Sequence, residues 1–322
     1  MAVKVFIDSL QDGYDEVIAR AFAFIGEAGA IAPGDRVCIK PNLTFPTFQP
    51  GVMTNPEAVE ALLRYLTAFT PHVTICESDS GGYNRFSMDE VFRATGLDVI
   101  ARRYGARIVN MSYEPSRPIT VRAGLRRLRV PLPTMLLDNT DVFITMPVPK
   151  VHMNTTVSLA VKNQWGVIQE PAVRLKLHPY FKHVIYAVNK ALPRSLALVD
   201  GRYGLTRSGP LRGDAVEWQW MMLATDLFYT DFIVAQLMGF DPHRIGYLRH
   251  ILRQERIHSL DDVELNTDPM AFARDGFYLK REWTDYPGLF TFNSRLLAYL
   301  GYESALAKPL HWLLYRFRKP FF

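Results

Sequence analysis

Gly34-Asp35-Arg36-Val37-Cys38-Ile39-Lys40-Pro41-Asn42 decides the fold class. Gly34-Asp35 is a turn signal, and residues 36–40 are an apolar run of strand length. Pro41 has no N–H for a sheet ladder and stops the strand. Downstream, Asn55-Pro56 opens a helix with proline at its first position, and Val59, Leu62, Leu63 and Leu66 recur along it at helical spacing. Residues 73–77 are the next strand. Ser87-Met88-Asp89-Glu90 is a capping box for a helix ending near Gly96, and 106–111 are another strand. Upstream, 3–7 are apolar, and Val17, Ile18, Ala21, Phe22 and Ile25 place a helix within 12–30. This alternation predicts an α/β fold: a mostly parallel sheet with helices on both faces.

Residues 119–132 break the pattern and predict a β-hairpin excursion at about 113–135. Arg122, Arg126, Arg127 and Arg129 there are either a solvated face or a surface for an anionic partner. The alternation resumes with a strand at 141–146, a helix over 155–165 ended by Gly166, and a strand at 196–200. A loop with Gly201, Gly204, Gly209, Pro210 and Gly213 follows, then a largely helical 214–237. Asp226 and Asp231 in that segment either cap and pair or face the site. The expected organisation is an α/β domain over 1–250 and a mostly helical, peripheral C-terminal extension over 251–322 packed on it.

The composition is that of a soluble globular protein, with 48% hydrophobic and 21% charged residues. Its 37 basic and 32 acidic side chains leave a net charge of +5. That suits an anionic small molecule or a membrane surface and gives little counterion-release drive toward nucleic acid. Two cysteines, Cys38 and Cys76, cannot supply the four thiolates of an iron–sulfur cluster. Each sits in an apolar strand and is expected to be a buried, reduced thiol. Asp8, Asp12, Asp15 and Glu16 argue against a signal peptide. Glu217, Asp226 and Asp231 interrupt the longest apolar stretch, 215–240, so no transmembrane helix is expected. The expected compartment is the cytoplasm.

Open α/β sheets bind ligands beyond the carboxyl ends of their strands. The residues following the predicted strands are Lys40-Pro41-Asn42, Glu77 through Gly82, Pro147 through His152, and Asp200-Gly201. They are expected to converge on one rim. Lys150, His152 and Lys162 are the candidate catalytic groups: a desolvated lysine is a clamp, nucleophile or base, and histidine carries protons. Lys40, Asn42, Asp79, Gly81, Gly82, Asn163 and Asp200 are the candidate binding positions, with 78–82 as an anion-binding loop on its backbone amides. Each has a structural alternative: Lys40 as a strand end, Gly81-Gly82 as a turn, Asp200 as a cap, His178 as a surface histidine. Ten residues of helix span ~15 Å, so His152 and Lys162 meet one ligand only if it is long or the segment bends back.

Lys40-Pro41-Asn42-Leu43, Lys150-Val151-His152, Lys162-Asn163-Gln164-Trp165-Gly166, Asp200-Gly201 and Gly209-Pro210-Leu211-Arg212-Gly213 occur in an order that resembles the domain-of-unknown-function 362 family over about 1–250. Many members of that family carry a cysteine-rich, ferredoxin-like segment. This chain does not, so the resemblance implies that any cluster belongs to a separate partner. The spacing His152–Lys162–His178 is also similar to that of nickel-pincer lactate racemases. That similarity implies Lys162 as a holder of a nucleotide-type cofactor, His178 as a metal ligand and His152 as a proton carrier. Those racemases use a second catalytic histidine further upstream, where this chain has only His72.

Two functions stand. One is a small-molecule enzyme, redox or isomerising by proton transfer, acting on an anionic, carboxylate- or phosphate-bearing substrate at the C-terminal rim of the sheet. The other is a non-catalytic binding or maturation partner of an iron–sulfur redox protein, working with a ferredoxin-like partner or as a homodimer. The tail from 295 to 322 interleaves leucines and aromatics with Lys308, Arg316, Arg318 and Lys319 against the single acid Glu303. It is either a helix docked on the core or an amphipathic contact with a membrane surface.

Overall fold

The computed structural model describes residues 2–80, 86–302 and 304–317. Its strands are β1 Val3–Ser9, β2 Val37–Pro41, β3 Val73–Glu77, β4 Arg107–Asn110, β5 Ser116–Ala123, β6 Arg126–Pro133, β7 Val142–Met146, β8 Lys150–His152, β9 Thr156–Ser158, β10 Arg194–Thr206, β11 Asp214–Ala224 and β12 Val263–Leu265. The helices are α1 Tyr14–Ile25, α2 Pro56–Thr67, α3 Met88–Ala94, α4 Leu97–Arg103, α5 Thr134–Asp138, α6 Ala160–Asn163, α7 Pro171–Leu177, α8 Phe181–Ala191, α9 Leu227–Leu237, α10 Gly246–Glu255, α11 Tyr286–Asn293, α12 Arg295–Tyr302 and α13 Ala307–Phe317.

One large sheet runs β12-β1-β11-β10-β7-β2-β3-β4, with the hairpin β8–β9 attached through β10. The steps β10–β7, β7–β2, β2–β3 and β3–β4 are parallel, and β11 lies antiparallel between β1 and β10. Side chains alternate across a strand, so β2 serves two cores. Val37 and Ile39 pack with Val17 and Leu62 of α1 and α2, while Cys38 faces Val184 and Val188 of α8. A third core joins β1, β10 and β11 to α9 and α10. The mixed α/β architecture, mostly parallel sheet, separate β5–β6 hairpin and helical C-terminal region are therefore all present.

Local signals explain the helix starts. Asn55 caps α2, accepting from Glu57 N–H at 3.0 Å with Pro56 following. Ser87 and Glu90 form the reciprocal capping box of α3. The hairpin arginines Arg122, Arg126, Arg127 and Arg129 are all exposed. Cys38 and Cys76 are free, buried and adjacent, with their sulfurs 2.8 Å apart.

Several elements differ from the sequence expectation. Residues 214–224 are a strand, and only Leu227–Leu237 is helix. The alternation Val216, Trp218, Trp220 against Glu217, Gln219 is a two-residue period, and pairing with β10 realises it. Residues 155–165 form β9, the single turn α6 and a 3-10 turn instead of one helix. β10 continues past Asp200 to Thr206, so Asp200 lies in mid-strand. The extension after 250 is not wholly peripheral: β12 adds to the sheet beside β1, and Asn266 accepts the Ile7 N–H at 2.8 Å. Among the described residues no helix is long and apolar enough to cross a membrane.

Candidate functional site

Three of the four strand-end clusters meet in a cavity of about 220 Å3 at the carboxyl ends of β2, β3 and β7. Lys40 and Asn42 come from the end of β2, Glu77 and Ser78 from β3, Lys150 and Ser158 from the β8–β9 hairpin. Lys162, Asn163, Trp165 and Gly166 come from α6 and the turn after it, Arg174 from α7, Pro210 and Leu211 from the β10–β11 loop. The bend forced by β9 and the short α6 brings Lys162 back over the sheet. An unbroken helix would have carried it away.

At the floor, the Lys40 ammonium donates to Glu77 Oε2 at 2.7 Å, and both side chains are almost fully buried. Glu77 Oε1 also accepts the Ser78 N–H at 2.9 Å. Lys40 reaches Asn163 Oδ1 at 3.4 Å, and Asn42 Nδ2 donates to the same oxygen at 2.9 Å. Asn163 Nδ2 donates to Thr145 Oγ1 at 2.8 Å. Lys150 donates to Asn42 Oδ1 and, at 2.7 Å, to the Val52 carbonyl. Two lysines are thus linked through two amides whose orientation every bond agrees on.

Arg174 is the other fixed cation. Its guanidinium is buried and donates to the carbonyls of Ile168 (2.6 Å), Asp79 (2.8 Å) and Gln169 (3.2 Å) and to Ser78 Oγ. Among the described residues it pairs directly with no carboxylate, and burial draws its pKa down to about 10. Lys162 is different again. Among the described residues its ammonium has no hydrogen-bond or ion-pair partner, and burial lowers its pKa to about 7. Lys150 falls to about 7 as well, through burial and then the charges of Lys162 and Lys40. The helix bearing Lys162 is pinned by Asp231, which accepts the Val161 N–H at 3.1 Å and the Tyr247 hydroxyl at 3.1 Å. Burial pushes that carboxyl up to about 8.

Other expected residues lie elsewhere. His152 lines neither this cavity nor the next. It is buried, its Nδ1 accepts the Asn154 N–H at 3.1 Å, and burial with Lys162 nearby holds its pKa well below the usual histidine value. His178 lines a second cavity of about 230 Å3 with Asn154, Thr156, Lys182 and Tyr247. Its ring stacks on Phe181 and Phe292, and burial lowers its pKa to about 3. Asp200 accepts from Tyr14 OH at 2.9 Å and the Asn55 N–H at 2.8 Å, fastening β10 to α1 and the start of α2. It is a structural clasp because β10 does not end there. Asp79 accepts the Met88 N–H at 2.7 Å and Asn110 Nδ2 at 2.9 Å, and only its carbonyl reaches Arg174. Gly81 and Gly82 lie outside the described residues. Asp226 caps α9, accepting from Phe228 and Tyr229 N–H.

Among the described residues no three His, Cys, Asp or Glu side chains cluster as a metal site. The neighbours of His178 are aromatic rings and the Asn154 amide, a donor set that does not fit a protein-held nickel ion.

The sequence puts Glu77 on the rim without marking it as the partner of Lys40. It had no signal for Arg174, which no motif marks. Gly166 is explained by the geometry: a Cβ there would lie 2.9 Å from both Glu77 Oε1 and Lys40 Nζ. Gly166→Ala is therefore expected to cost about 1–3 kcal/mol by pushing the ion pair apart, read as a lower urea midpoint at unchanged m-value.

The family model "Domain of unknown function (DUF362)" matches residues 37–236, which holds every described residue lining the cavity. The chain belongs to the DUF362 family. The DUF362 chain is similar to "Thylakoid-associated protein sll1697" of Synechocystis sp., at 26% identity over 263 residues, covering 78% of this chain and 76% of that protein. Among solved structures it resembles the lactate racemase apoprotein of Thermoanaerobacterium thermosaccharolyticum, with 15% identity and a TM-score of 0.39, covering 62% of this chain and 50% of that one. A Thermotoga maritima protein aligns at 16% identity and a TM-score of 0.37, covering 59% and 51%. The DUF362 chain thus spans about half the length of the solved structures it matches.

Proposed function

We propose that this protein is a small-molecule enzyme that holds a carboxylate- or phosphate-bearing substrate in the Lys40–Lys150–Lys162–Arg174 cavity and transfers a proton on it. The observation that carries this reading is Lys162: a lysine inside a cavity, without a partner among the described residues, with a pKa of about 7. The other cations are already held. Lys40 is neutralised by Glu77, Lys150 is fixed by neutral acceptors, and Arg174, also fixed by neutral acceptors, keeps a positive field in the cavity. A cavity of about 220 Å3 suits a small acid. Near neutral pH an amine of this pKa is divided between its base and acid forms, the condition for moving protons in both directions. Lys150, Lys162 and Arg174 receive the anionic group, Asn42 and Asn163 set the direction of Lys150, and Lys162, divided between its two forms, gives or takes the proton in place of His152.

An anion entering the cavity favours the charged form of both lysines, so binding takes up protons and weakens as pH rises above about 7. Calorimetric titration with inorganic phosphate and small carboxylates, in buffers of different ionisation heat, should show that uptake. Binding of equal strength on both sides of pH 7 would remove the lysine assignment. Loss of carbon-bound hydrogen from the bound carboxylates into D2O, followed by NMR, tests the reaction itself. Anions that bind but never exchange would leave a binding protein.

The Synechocystis relative is named for association with thylakoids. Together with the lack of a spanning helix among the described residues, this supports a place for the present chain at a membrane surface.

A further inference from the structure

Most of the large apolar side chains exposed on the described surface fall between residues 283 and 313. Leu296 is 66% exposed, Phe290 64%, Trp312 63% and Trp283 72%. α11 buries none of its residues, and among the described residues of α12 and α13 the buried ones are the small Ala298 and Ala307. Phe290, Leu296, Leu310, Trp312 and Leu313 on these helices all point outward. A soluble monomer rarely leaves so concentrated an apolar patch uncovered.

We propose that α11–α13 form a peripheral membrane-docking surface that lies on anionic lipid, with α13 inserting its apolar face among the headgroups. The proposal rests on the membrane-surface location inferred above and names the element responsible. In α13, the exposed Leu310 and Leu313 are three residues apart and so share one helical face. Lys308, Trp312 and Arg316 fall on the other side, where the Arg316 guanidinium stacks over the Trp312 ring at 4.9 Å.

Charge selects the occupant. From 286 to the end the sequence has the cations Arg295, Lys308, Arg316, Arg318 and Lys319 against the one acid Glu303. A second copy docking through the same patch would set these cations against their own equivalents. An anionic lipid surface neutralises them, attracts each basic side chain and accepts the aromatic and leucine side chains at its interface. Helices of 8, 8 and 11 residues are too short to span, so the contact is reversible and lies in the plane of the surface.

The test is co-sedimentation of the full chain with phosphatidylcholine vesicles, with and without phosphatidylglycerol. The parent chain should bind the anionic vesicles more strongly and release as salt is raised. Leu310→Asp with Leu313→Asp should lower partitioning at least about tenfold, and Lys308→Glu with Arg316→Glu about fivefold per residue. All four side chains are exposed, so circular dichroism and the melting temperature should stay at parent values. If the parent binds and both pairs of variants bind equally well, the surface location stands and α13 is not its anchor. If the parent ignores both vesicle types, the surface location falls with it. A parent dimer that Leu310→Asp splits, without vesicle binding, would make a second copy the occupant and overturn the proposal.

Discussion

Lys162→Met should abolish anion binding and, in the same protein, raise the stability of the ligand-free fold. The two effects have one cause. Lys162 is held in the cavity with no partner among the described residues, and its folded pKa of about 7 lies far below the ordinary 10.5. Between those two pH values the unfolded chain binds more protons than the folded one, so the stability of the parent rises with pH through that window. Below about pH 7 the charged amine is present in both states, and the cost of burying it is fully felt. Lys150 contributes with the same sign over the same window. After allowing for its partial exposure, removing Lys162 should relieve on the order of 2–4 kcal/mol at pH 6. The melting temperature of Lys162→Met should therefore exceed that of the parent at low pH. Its rise between about pH 7 and 10 should be shallower, because only Lys150 is left to drive it. Phosphate or carboxylate binding should fall at least about a hundredfold, as expected when one partner of a buried charge pair is lost. A variant that is stabilised yet binds normally would show that Lys162 is merely a strained lysine.

Glu77→Ala should give the largest loss of stability of any single change at the site. Lys40 is 1% exposed, and the Glu77 carboxylate 2.7 Å away is its only anionic partner among the described residues. Breaking a buried pair from one side leaves a charge in a medium that solvates it poorly, at a cost of about 3–5 kcal/mol. The Ser78 N–H loses its acceptor as well. Replacing both ends, Lys40→Met with Glu77→Leu, should recover most of that loss, because no charge is then left buried. Urea unfolding of the two single variants and the double variant measures the coupling directly. Additive effects in the cycle would mean that the two groups do not act as a pair. The pair also keeps Gly166 and the turn after α6 in place, so a cavity without it should bind anions poorly even in the folded double variant.

How legible these features were depends on the distance over which their cause acts. The capping box at Ser87 and Glu90, the Asn55-Pro56 helix start and the strand stop at Pro41 act within a few residues, and each is found where the sequence places it. The rim residues Lys40, Asn42, Lys150 and Lys162 were recognisable because parallel strands put their carboxyl ends on one side. Asp200 lies in mid-strand because a strand's length depends on its neighbour: β11 pairs along β10 as far as Thr206. The same pairing turned 214–224 from helix into strand, since a two-residue apolar period is used only when another strand accepts it.

The sequence by itself determined the alternating α/β order, the caps, the buried cysteines and the identity of three of the cavity's lysines. These follow from periodicity, local hydrogen bonding and the direction of the chain. Only the tertiary structure decided which lysine is charged, paired or free. Glu77 reaches Lys40 from the next strand, Arg174 arrives from α7 without any motif, and His178 is turned into another cavity. A pKa depends on burial and on charges brought within a few ångström by packing, and that information lies between segments, not within any one of them.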